Sequence, residues 1–71
     1  MSILDLYKCT KDEQSIRVYM GFEAYRERDY IAYEDITWIP EQYLDCQILR
    51  LYPAYFDGIL YLDVVVAENA W

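Results

Sequence analysis

The dipeptide Asp57-Gly58, set between two largely apolar stretches, limits the folds open to this chain more than any other feature. A type I′ hairpin turn needs positive φ at both central residues, and Asp-Gly accepts that backbone at little cost. Pairing the chain about this turn puts Leu51 opposite Val64 and Leu49 opposite Val66, all on one face. Tyr52 then meets Asp63, and Arg50 meets Val65, on the other face. A slip of one residue would exchange the two faces, so the apolar row sets the register. Pro53 cannot donate to a ladder. Residues 46–52 are therefore expected to form an edge strand, or else the connection lengthens to residues 53–58.

A helix competes for the segment before this hairpin. Pro40 stands where a first helical turn tolerates proline, and Pro53 where a helix must stop. Leu44, Ile48 and Leu51 would share one helical face. The preferred reading is a short helical turn over residues 40–45, then a strand.

At the N-terminus, residues 2–9 alternate, with Leu4, Leu6 and Lys8 on one side. Residues 10–14 read as a turn, and residues 15–20 place Ile16, Val18 and Met20 on one face. Folding about Asp12 brings Leu6 to Val18 and Leu4 to Met20, which predicts an N-terminal hairpin. In the middle, residues 22–28 read as a short helix or irregular turn. Residues 30–37, rich in tyrosine, isoleucine and threonine, read as a strand. The expected fold class is α+β, mostly β: a small antiparallel sheet of four to five strands, built from two hairpins, with one short helical element.

With 71 residues the chain forms one small acidic domain, residues 1–71. A domain of this size buries roughly 60% of its unfolded surface. Its 56% hydrophobic and 18% aromatic content separates it from disordered chains. Two cysteines are too few for a disulfide scaffold, and Cys9 and Cys46 are expected as half-buried thiols. No basic stretch leads into an apolar run at the start, and no apolar run approaches the ~20 residues of a membrane span. The longest candidate, residues 59–67, is interrupted by Asp63. A cytoplasmic location is expected, that of a bacterial host if the chain is phage-encoded.

The sequence offers little for catalysis. It has no histidine, which removes the usual general base and the commonest transition-metal ligand. Cys-x-x-Cys spacing, a Gly-rich phosphate loop and an EF-hand pattern are all missing. Asp29, Glu34 and Asp35 cluster, but Glu34 and Asp35 would point to opposite faces of a strand. No enzymatic activity, metal or cofactor is expected.

Charge and aromatics point instead to binding. From Asp29 onward eight acids face one base, Arg50, whereas residues 1–28 hold five of each. The whole chain carries −7. Such a field draws in positively charged partners and repels nucleic acid and anionic membranes. Nine tyrosines cannot all satisfy their hydroxyls inside so small a core, so several must lie at the surface, where tyrosine favours interfaces. The expected partner-binding residues are Asp29, Tyr30, Tyr33, Glu34, Asp35, Trp38, Glu41, Asp45, Tyr52, Tyr55, Asp57 and Asp63. They would occupy a basic surface of a target protein, such as a nucleic-acid-binding enzyme or a nuclease complex. The alternative is a small homo-oligomeric interaction module, such as a homodimer, whose acidity serves only solubility and which joins at an edge strand beside exposed tyrosines, Trp38 and Trp71.

In size and acidity the chain is similar to small phage-encoded inhibitors of host defence, including anti-CRISPR and anti-restriction proteins and uracil-DNA-glycosylase inhibitors. The likeness is one of composition and covers no motif. It implies an inhibitor that stands in for nucleic acid.

Overall fold

The computed structural model describes residues 1–10 and 13–67. In chain order the elements are helix α1 (Ile3–Cys9), strand β1 (Ser15–Met20), helix α2 (Phe22–Glu27), strand β2 (Ile31–Tyr33), two 3₁₀ turns (Ile36–Trp38 and Glu41–Tyr43), strand β3 (Ile48–Phe56) and strand β4 (Ile59–Val66). The strands form one sheet in the order β2-β1-β4-β3. The outer pairs, β1 with β2 and β3 with β4, are antiparallel, while the central pair β1 and β4 runs parallel. The α+β, mostly β class is as expected.

The C-terminal hairpin forms with the expected register over most of its length. Leu51 faces Val64, Tyr52 faces Asp63 and Arg50 faces Val65. Asp57 and Gly58 adopt φ of 54° and 80°, the backbone that an Asp-Gly turn supplies. Leu49 departs from the expectation. A register shift between Ile48 and Arg50 puts Ile48, not Leu49, opposite Val66. Pro53 lies within β3 opposite Leu62, so the loop is not lengthened. The strand tolerates it because β3 is a sheet edge, where a missing N–H can face the open side.

The N-terminal hairpin does not form. Residues 3–9 are helical, because Ser2 and Asp5 close a capping box. The Asp5 amide donates to Ser2 Oγ (3.3 Å) and the Ser2 amide to the Asp5 carboxylate (2.9 Å). Donation from the Ser2 amide, and from the Ser2 hydroxyl (3.1 Å), holds the Asp5 carboxyl below its ordinary pKa of 3.8. Ile3 and Leu6, spaced for one helical side, are buried, whereas Leu4 is only half-buried. The pivot proposed at Asp12 lies outside the described residues. Strand β1 keeps Ile16 and Val18 in the core but pairs with β2 instead, Ile16 facing Tyr33 and Val18 facing Ile31.

Strand β2 is shorter than residues 30–37. Asp35 ends it: its carboxylate accepts from the Thr37 amide (2.9 Å) and hydroxyl (2.7 Å) and starts a 3₁₀ turn. Of the short helix or irregular turn expected over residues 22–28, the helix forms, as α2, and the helical turn expected over residues 40–45 contains the 3₁₀ turn Glu41–Tyr43.

One face of the sheet carries the core. Ile16, Val18, Val64 and Val66 pack there against Ile3 and Leu6 of α1 and against Ile36, Ile39 and Cys46. Two amides of α1 are spent on the segment before β3: Ile3 donates to the Cys46 carbonyl (3.1 Å) and Leu4 to that of Leu44 (2.9 Å). Helix α2 packs against β1 and sends Tyr25 onto the opposite face.

Candidate recognition surface

On that opposite face, β1 and β4 each carry one charge among apolar neighbours, Arg17 and Asp63, paired across the parallel ladder. The guanidinium donates twice to the carboxylate, Nε at 2.5 Å and one terminal nitrogen at 2.7 Å. Both residues are buried, Asp63 at 2% exposure. Hydrogen bonding to Asp63 holds the Arg17 proton more firmly than usual, against the opposing effect of burial.

Tyrosines wall in this pair. Arg17 lies 5.0 Å from the centroid of the Tyr30 ring and 5.1 Å from that of Tyr61. Tyr19, fully buried, meets Tyr25 edge-on at 4.9 Å, and Tyr25 stacks on Tyr52 at 5.3 Å. The Tyr19 hydroxyl makes no well-formed hydrogen bond among the described residues, and burial raises its pKa above the ordinary 10.0.

The cluster opens into a cleft of about 510 Å³ that runs out along β3. Tyr25, Tyr30, Tyr52, Tyr55 and Phe56 supply its rings, Arg17 and Asp63 part of its lining, and Arg28 a further cation. Strand β1 begins opposite Tyr61, so the hairpin end from Tyr55 to Leu60 extends past the paired centre. Its side chains consequently lack a covering layer: Tyr55 is 76% exposed and Phe56 62%, with Ile59 and Leu60 also exposed. Leu49, Leu51 and Tyr52 of β3 are exposed as well, Leu51 and Tyr52 on opposite faces, and the only charge of β3 is Arg50.

The expected binding residues fall into separate places. Tyr30, Tyr52 and Tyr55 meet in the aromatic cleft. Asp63 lines the same cleft but is buried and bound to Arg17, so it adds no exposed charge. The acids do not make one face. Glu34 and Asp35, after β2, share a sheet end with the Asp57 turn, whereas Asp29, before β2, and Asp45, before β3, lie at the other end. The length of β1, about 17–20 Å, separates the two ends. Glu41 is exposed on the segment that crosses between sheet edges. Tyr33 is half-buried against the core, and Trp38, 61% exposed, stands on a 3₁₀ turn. Trp71 lies outside the described residues.

Sequence reasoning missed Arg17, Tyr25, Arg28, Phe56, Ile59 and Leu60. A signal existed for the first: a lone cation in Ile16-Arg17-Val18 and a lone anion in Leu62-Asp63-Val64 are natural partners once both strands are buried.

No set of His, Cys, Asp or Glu side chains among the described residues could hold a metal ion. No helix among them is long and apolar enough to cross a membrane. No protein-family model matches this chain, and no match is found among curated proteins or solved structures.

Proposed function

We propose that this chain is a small non-enzymatic binding protein that docks onto a basic surface of a partner protein through its β3–β4 hairpin. The observation that carries this reading is the group of uncovered large apolar side chains around the hairpin end, Tyr52, Tyr55, Phe56, Ile59 and Leu60, exposed on both faces of the sheet. Single exposed apolar residues are ordinary on a small protein, but several gathered at one hairpin end beside an aromatic cleft mark an interaction site. Carboxylates at both sheet ends surround this group with negative potential, which speeds encounter with a cationic protein and disfavours nucleic acid.

The sharper form of the reading is inhibition. If the partner's basic surface is the one its nucleic acid uses, as for a nuclease complex in a bacterial cytoplasm, occupation blocks that use. In this form the hairpin supplies the affinity and the carboxylates supply selection for positive charge.

Self-association would use the same open edge of β3. Two copies, each at −7, repel one another, and Pro53 removes a donor from the middle of the strand. Both features favour an unlike partner.

Capture of a partner from bacterial lysate by the tagged chain, with heparin as competitor, tests the proposal. Heparin should displace the captured protein, and raising salt from about 0.1 M to about 1 M, which shortens the screening length from ~10 to ~3 Å, should slow its association. Capture indifferent to both would remove the basic partner from the account.

A further inference from the structure

A second concavity, of about 330 Å³, lies between α2 and β2. Its floor is apolar, formed by Val18, Met20, Ala24 and Ile31. Its rim carries three exposed carboxylates, Glu23, Glu27 and Asp29. Glu23 and Glu27 are one helical turn apart and share a side of α2. Arg17–Asp63 is the only ion pair among the described residues, so none of the three rim acids forms a salt bridge with a described residue. Tyr30 completes the wall, and its ring already holds the Arg17 guanidinium 5.0 Å from its centroid.

These features select one kind of occupant. A bare divalent ion is disfavoured, because no three acids there converge as metal ligands and an apolar floor gives an ion nothing. A neutral apolar group would leave three carboxylates at its border unpaired. A long side chain with an aliphatic stem and a cationic head matches floor, rim and aromatic wall together. We infer that the groove is a socket for one arginine or lysine side chain of a partner protein. The inference rests on the reading of the chain as a binder of a basic protein, and it places a specific contact beside the aromatic cleft, with which the groove shares Tyr30.

The test uses the full chain with methyl-labelled side chains, titrated with N-acetyl-arginine methylamide and, separately, with its uncharged citrulline counterpart. Arginine should give saturable shifts at the methyl groups of Val18, Met20, Ala24 and Ile31. Citrulline, equal in shape, should bind about fivefold or more weakly, the loss of one charge facing three partly solvated carboxylates. The double variant Glu27→Gln/Asp29→Asn should lose most of the arginine response while keeping the thermal midpoint and spectral dispersion of the parent. An equal response to citrulline would overturn the inference. So would arginine shifts at methyl groups away from the groove, such as those of Leu51, Ile59 and Leu60, without the floor methyls. The Tyr55→Ser/Phe56→Ser variant should bind arginine like the parent, so failure of the socket and failure of the hairpin reading are seen separately.

Discussion

Arg17 and Asp63 are single charges in strands that are otherwise apolar, and the parallel register sets them side by side beneath the tyrosines. Removing one partner leaves the other charged, desolvated and unpaired, which costs about 3–5 kcal/mol. That is most of the stability of a domain this small, which typically has about 3–5 kcal/mol from its core. Asp63→Ala should therefore be largely unfolded at room temperature, as read by far-ultraviolet circular dichroism. The double variant Arg17→Met/Asp63→Leu should recover much of the lost fold, because two apolar side chains need no pairing. Ser2 is a smaller case of the same logic. Ser2→Ala leaves the Asp5 amide without its side-chain acceptor and should cost about 1 kcal/mol in urea denaturation. It is also the residue that decides between strand and helix for the first segment. Alternation of Leu4 and Leu6 suggested a strand, but Ser2-x-x-Asp5 followed by a buried Leu6 is the start of a helix. The cap pattern was legible and outweighs a short alternation, since the same segment also carries Ile3 and Leu6 at helical spacing.

At the scale of elements, the hairpin was the most readable part because its signals agree. Asp57-Gly58 sets the turn, and the two apolar rows set the register. The bulge at Leu49 was not readable, because it comes from the chain start. Met1 accepts from the Ile48 amide (2.7 Å) and Ser2 bridges to Gln47, which fixes the beginning of β3 from outside the hairpin. The parallel pairing of β1 with β4 was equally hidden, since no local pattern records which distant strand lies alongside. Gly58→Val tests the turn. A β-branched residue at φ of 80° should destabilise the hairpin by roughly 1–2 kcal/mol, although open space around the Cβ position removes any clash. Amide exchange should then quicken over residues 51–62 before it changes in β1.

Across the whole molecule, the charge excess and the exposed aromatics proved to be separate features. The sequence suggested one face of carboxylates and phenols. The fold instead groups the phenols over a buried ion pair and divides the acids between the two ends of the sheet. Net charge was legible from composition, but its placement depends on strand order, which composition does not carry. Extremes of pH probe the same arrangement. Asp5 and Asp35 sit below their ordinary 3.8 through backbone and hydroxyl donors, so the stability they add is present above that value and fades as pH falls through the lowered pKa. Burial raises Tyr19 and Tyr33 above 10.0; their neutral forms support the fold up to that pH, and this support is lost as pH rises through the raised values. Absorbance at the phenolate band should show Tyr19 and Tyr33 ionising above pH 10, together with alkaline unfolding. The claim on which the account turns is that the hairpin group serves recognition and not folding. Its most direct measurement takes Tyr55→Ser/Phe56→Ser through urea denaturation and partner capture side by side. The predicted result is a midpoint close to that of the parent with capture abolished. An unfolded variant, or a folded one that still captures the same protein at full strength, would contradict it.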